Sequence, residues 1–186
     1  MKAQRDVFLE ELLNFAKKDK NIILITVDMG APALDLWRTE LPEQVITAGI
    51  SEQNAINLAA GLSASGKRVY VYFMASWAAR CLEQIRYSCA MAKNPITILG
   101  NGVGLGYAPA GPAHEPTDDL TYMSAIEELQ ISSPSNNAQV ANLAKSTVER
   151  RALHYIRFER SISEELEQKS QQAWKNRNDE FAHILY

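Results

Sequence analysis

A chain of 186 residues, 46% apolar and 22% charged, has the size and composition of one globular domain with a substantial core. A formal net charge of −3 gives no electrostatic reason to expect nucleic acid or an anionic membrane as a partner. No apolar run approaches the ~20 residues that span a bilayer. The start carries Lys2, Arg5, Asp6, Glu10 and Glu11 among its apolar residues and so lacks the core of a signal peptide. A cytoplasmic location is expected.

Val7, Phe8, Leu12, Phe15 and Ala16 mark one face of a first helix that ends near Lys18. The continuous apolar run from Asn21 to Val27 predicts a strand covered on both faces. Asp28 to Glu43 reads as irregular because it contains Gly30, Pro32 and Pro42. A short strand is expected at Val45 to Thr47. A helix is expected from Ser51, its N-cap, to Ser65, with Gly66 ending it. Arg68 to Phe73 reads as the next strand. Ala75 to Lys93 reads as a helix with Ala78, Leu82, Ile85 and Cys89 on one stripe, stopped by Asn94-Pro95.

Ile96 to Leu99 is a third buried strand, followed by a loop from Gly100 to Pro116 rich in glycine and proline. Gln130 to Ser132 and Leu153 to Phe158 complete the strands, with a helix at Asn136 to Glu149 between them. From Ile162 the chain is polar and reads as a helical tail anchored by Leu166 and Trp174. Cys81 and Cys89 are separated by ~12 Å of rise on one predicted helix, too far for a disulfide.

Alternation of helical periods with β-branched runs predicts an α/β fold, a doubly wound, mostly parallel sheet flanked by helices. Ligands of such sheets bind at the carboxyl ends of the strands. Three of these ends stand out: Asp28-Met29-Gly30, Gly49-Ile50-Ser51-Glu52, and the Gly100 to His114 loop. No Cys/His/Asp cluster has metal-ligand spacing, so a metal site made by this chain alone is not expected.

Five segments carry a resemblance: VDMG (27–30), GISEQNAINLAAGLSASGK (49–67), RCLEQIR (80–86), GLGYAPAGPAHEPTDDL (104–120) and YIRFER (155–160). In this order and spacing they resemble the pyrimidine-binding domain of the transketolase family, from about Arg5 to Arg160. The resemblance implies the thiamine diphosphate-binding pyrimidine-domain fold over 1–160. It leaves 161–186 as a tail where the family usually has a third domain. The metal motif of the diphosphate domain, a Gly-Asp-Gly followed later by an Asn-Asn pair, is absent because the sequence has no Gly-Asp-Gly.

The chain therefore resembles the second subunit of a split enzyme. Its implied partner is an N-terminal transketolase-like subunit that holds the diphosphate and Mg2+ or Ca2+, with an α2β2 heterotetramer as the implied assembly. The implied reaction is transfer of a two-carbon ketol unit from a ketose-type donor to an aldehyde. Deoxyxylulose-phosphate-synthase-like or 2-oxoacid-decarboxylating carboligation stays open, as does a non-catalytic interaction subunit.

By the same resemblance, Glu52 is the carboxyl group that hydrogen-bonds the far pyrimidine nitrogen and shuttles a proton. Without the motif it would read as an ordinary first-turn glutamate. Trp77 takes the place of the aromatic that stacks on the ring, Met74 stands where another aromatic is usual, and Ile50 is a candidate apolar support. His114 matches a histidine facing the reacting end of the substrate. Arg160 and Arg5 occupy positions resembling those that bind a sugar phosphate. Arg80, like Arg86, either lines the cofactor pocket or makes interface ion pairs. Two departures stand against a ketose phosphate as donor. Tyr107-Ala108-Pro109-Ala110 lacks the family's carboxylate, and Gly100 replaces a phosphate-contacting histidine.

Overall fold

Every residue of β1 (Ile22–Thr26) is buried, because the strand lies inside a sheet covered on both faces. In the computed structural model, which describes residues 2–160, β1 is joined by β2 (Val45–Thr47), β3 (Arg68–Met74), β4 (Thr97–Asn101), β5 (Gln130–Ser132) and β6 (His154–Phe158). The order is β2-β1-β3-β4-β6-β5, and every pairing is parallel. The helical tail expected beyond Ile162 lies outside the described residues.

Alternation along the strands sorts the core into two layers. Val69, Val71 and Phe73 of β3 join Ile23, Ile25 and Ile98 beneath α3 (Glu52–Ala64) and the helical segment 75–91. Tyr70 and Tyr72 join Leu24, Leu99 and Ile156 beneath α1 (Gln4–Ala16), α2 (Pro32–Glu40) and α6 (Asn137–Glu149). The chain leaves β1 toward β2 on one side, then returns to place β3 on the other. The strand order thus reverses at β1, the position where a doubly wound sheet opens a crevice at its carboxyl edge.

Three expectations are corrected. The stretch from Asp28 to Glu43 is not irregular throughout. Pro32 opens α2 at its first turn, where a missing N–H costs nothing, and Trp37 of α2 is fully buried, its indole N–H donating to the Leu9 carbonyl at 2.8 Å. The segment expected as one helix from Ala75 is a composite of a 3-10 stretch Ala75–Cys81, a single turn α4 (Leu82–Gln84) and a π-helical stretch Ile85–Met91. Bonds from Ala92 N–H to the Tyr87 carbonyl and from Asn94 N–H to that of Cys89 close its wide final turns. Ser51 stands at the N-cap of α3 but does not cap it, since its hydroxyl donates to the Ala48 carbonyl at 2.6 Å. A further short helix, α5 (Asp119–Met123), lies where the sequence predicts no element.

Candidate functional site

Glu52 is the first residue of α3, and its side chain is 3% exposed. Its Oε2 accepts a hydrogen bond from Arg80 at 3.1 Å. Arg80 lies on the 3-10 stretch that leaves the carboxyl end of β3, with half its side chain in solvent. Its guanidinium stands 5.8 Å from the centroid of the Trp77 ring. The Trp77 ring in turn meets His114 edge-on, with centroids 6.3 Å apart. His114 closes the 3-10 turn Pro112–His114 in the loop after β4, and its Nδ1 is buried without a hydrogen-bond partner.

Glu52, Arg80, Trp77 and His114 therefore form one chain of contacts drawn from three segments of the sequence. Met74, the last residue of β3, is buried nearby in the chain, whereas Ile50 is 77% exposed at the turn before α3. A sheltered carboxyl, an aromatic face and an imidazole in sequence can hydrogen-bond and stack a flat heterocycle, and can hold or move a proton. Cys81, beside this chain, is not a nucleophile. It is fully buried, and burial, aided by the Glu52 charge and opposed by Arg80, pushes its thiol up to about 12.

Arg5 and Arg160 are not part of that chain. They meet one another's surroundings at Tyr107, a residue noted in the sequence only for not being a carboxylate. Arg5 donates to the Tyr107 hydroxyl at 3.3 Å, and the Arg160 guanidinium lies over its ring, 4.6 Å from the centroid. The Asn101 amide donates to the same hydroxyl at 2.9 Å. Neither Tyr107 nor Asn101 carries a sequence signal for this role, because the contact joins α1, the end of β4 and the second residue after β6.

A third arrangement fixes the loop. Asp119, 1% exposed, accepts from both Nε and an NH2 of Arg157, at 2.7 and 2.9 Å, and from the Tyr155 hydroxyl at 2.8 Å. The Tyr155 ring lies over Gly100, where an added Cβ would come within 2.6 Å of it. Glycine is thus the residue that lets Tyr155 reach Asp119. Among the described residues no group of three or more His, Cys, Asp or Glu could hold a metal ion, and no helix is long and apolar enough to cross a membrane.

Comparison with known proteins matches residues 1–164 to the family model for the transketolase pyrimidine-binding domain. The chain is 32% identical over 187 residues to a subunit of the apulose-4-phosphate transketolase of Phocaeicola vulgatus, covering 100% of this chain and 57% of that protein. It is 28% identical to the 1-deoxy-D-xylulose-5-phosphate synthase of Syntrophomonas wolfei, over 92% of this chain and 27% of that one. A solved split-gene transketolase, described as an inactive β4 tetramer, superposes with a TM-score of 0.75 at 28% identity. That likeness covers 86% of this chain and 52% of the other.

Proposed function

The chain belongs to the transketolase pyrimidine-binding domain family, and from that premise we propose that it is the pyrimidine-binding subunit of a split, thiamine diphosphate-dependent transketolase. In this reading it moves a two-carbon ketol unit from a ketose-type donor to an aldehyde. It does so only beside an N-terminal transketolase-like subunit that carries the diphosphate clamp and Mg2+ or Ca2+, in an α2β2 heterotetramer. The relative from Phocaeicola vulgatus, itself one subunit of a transketolase and alignable over the whole of this chain, supports the split arrangement.

The observation that carries the reading is Glu52. Its side chain is 3% exposed, and the carboxyl is held through Oε2 by the half-exposed Arg80 at 3.1 Å. Such a group fits an aminopyrimidine, whose ring nitrogen can take the remaining oxygen. The Trp77 indole offers a face for the ring, and Met74 and Ile50 offer apolar walls. When bound, thiamine diphosphate supplies the reactive carbon that accepts the ketol fragment.

The chain's own residues do the rest. Glu52 holds and returns one proton at the pyrimidine nitrogen, and Arg80 positions the carboxyl while keeping one oxygen occupied. Trp77 fixes the ring plane. The orphaned Nδ1 of His114, whose ring centroid lies 6.3 Å from that of Trp77, is a proton site for a substrate hydroxyl. Ile50, 77% exposed, is the surface that the partner subunit covers to exclude water.

The likeness to a 1-deoxy-D-xylulose-5-phosphate synthase supports a second reading, carboligation after loss of carbon dioxide from a 2-oxoacid. Donor profiling of the assembled enzyme with ketoses against pyruvate separates the two. The test of the first is Glu52→Gln, nearly isosteric but unable to shuttle a proton. Calorimetric titration of thiamine diphosphate into the chain mixed with its partner should show binding for both forms. Turnover of the variant should fall by about 10²–10⁴-fold. Wild-type turnover by the variant, or no heat of binding at all, would sink the assignment.

A further inference from the structure

Tyr107 is seated more deliberately than a loop residue needs to be. Its hydroxyl receives Arg5 at 3.3 Å and Asn101 at 2.9 Å, and its ring lies under the Arg160 guanidinium at 4.6 Å. Arg160 also donates to the Gly106 carbonyl at 3.3 Å, which braces the loop next to the tyrosine. The ring occupies the space where Gly102 has no side chain. A Cβ there would stand 2.2 Å from the ring, and the φ of +77° at this glycine is one that side-chain-bearing residues rarely adopt.

Guanidinium groups bind most strongly to anions, through paired, charge-assisted hydrogen bonds. Here Arg5 Nη1 donates to a neutral phenol and the Arg160 guanidinium lies over its ring, while Arg5 Nε is buried without a hydrogen-bond partner. Two neighbours of the pair disfavour an anion all the same. Asp6 stands 3.7 Å from Arg5 Nε, and Asn101, fully buried, keeps an Oδ1 without a hydrogen-bond partner. A buried acceptor with nothing to accept repels a phosphate oxygen and suits a hydroxyl.

We propose that Tyr107 is a specificity-determining residue. It closes the Arg5–Arg160 pair to phosphate and fits this part of the carboxyl edge to a ligand whose far end is uncharged and hydroxyl-bearing. The proposal rests on the function proposed for Glu52 only in taking that edge as the substrate side. Its first test needs neither cofactor nor partner.

Inorganic phosphate is titrated into the full-length chain and followed by calorimetry and 31P line broadening. Wild type and Tyr107→Phe, which keeps the ring, should bind it at least tenfold more weakly than Tyr107→Ala. Tyr107→Leu, which keeps bulk in the loop should the alanine variant unfold, should show the same gain. Adding Arg5→Ala to either should remove it. In the assembled enzyme, the kcat/KM ratio of a phosphorylated over an unphosphorylated ketose should rise at least tenfold on Tyr107→Leu, mainly through KM. Equal phosphate binding by wild type and both ring-deleted variants would overturn the proposal, and so would an opened site in Tyr107→Phe. Either result would leave the Glu52 reading standing, because phosphate binding is measured without turnover.

Discussion

Gly100 and Tyr155 show how one missing side chain can be explained by its neighbour. By resemblance, Gly100 stands where a phosphate-contacting histidine is usual. The physical reason it is glycine here is the Tyr155 ring, which an added Cβ would approach to 2.6 Å. That ring carries a hydroxyl bonded at 2.8 Å to the buried Asp119, and burial together with the Asp119 charge holds the phenol proton on well above its usual range. Gly100→Ala forces the ring aside and should cost about 1–3 kcal/mol, the ordinary range for overpacking. Tyr155→Phe keeps the ring but withdraws a hydrogen bond from a carboxylate, and should cost about 1.5–3 kcal/mol. Because both changes act on one contact, the double variant should cost less than the sum of the two. Urea unfolding of the four forms checks this. Strict additivity would mean that Gly100 is small for some other reason.

At the scale of elements, glycine does opposite work at two places on α3. Gly66 follows the helix with φ +94°, and its N–H and that of Lys67 bond back to the carbonyls of Ser63 and Leu62 at 3.0 Å each. This is the paired closure that needs a left-handed residue. Arg151 reinforces the same end by donating to the Lys67 carbonyl at 2.9 Å. Gly61 sits in the helix interior with nothing within 4 Å of an added Cβ. Gly61→Ala should therefore stabilise the isolated chain by about 0.5–1 kcal/mol, whereas Gly66→Ala should destabilise it by about 1 kcal/mol. Thermal unfolding of the two variants reads both signs, and a loss at Gly61 would mean that the space beside this position is not open in the isolated chain.

The ends of α3 were legible in the sequence because Gly66 and the Ala55-Ile56-Ala59-Ala60 stripe are local signals. The strands were legible because a sheet buried on both faces writes continuous apolar runs. Helix α2 was not, since Pro32 reads as a breaker until its position at the first turn is known. Nor was the composite 75–91 segment, because apolar stripes do not distinguish α from 3-10 or π winding. The Glu52 and Trp77 positions were legible only through the motif around them. The contacts that join Arg5 and Arg160 to Tyr107, and Arg157 to Asp119, cross the fold between distant segments, and no local pattern encodes them.

The molecule as a whole has two thiols sealed in the same layer of the core, and this fixes how it responds to alkali. Cys81 is fully buried and Cys89 is 1% exposed, and each is pushed up to about 12, chiefly by burial. In the unfolded chain each returns to an ordinary thiol value of about 8.5. Between those limits the unfolded state loses protons that the folded state keeps, so stability falls as pH rises. Each thiol contributes a slope of up to about 1.4 kcal/mol per pH unit in that window, and none below it. Tyr70, held by burial to about 12, and Tyr72, Tyr122 and Tyr155, which burial also raises above the ordinary 10.0, join in only at the upper end. Urea midpoints at a neutral pH and at successive steps above it should decline from about pH 8.5 upward. The Cys81→Ala/Cys89→Ala pair should be less stable at neutral pH but flatter across the same window. The native thiols should also stay unreactive toward a disulfide reagent until the chain unfolds. A wild-type midpoint unchanged to about pH 10 would mean that the layer between α3, the 75–91 segment and the sheet is open to water, and with it the dry carboxyl on which the Glu52 reading depends.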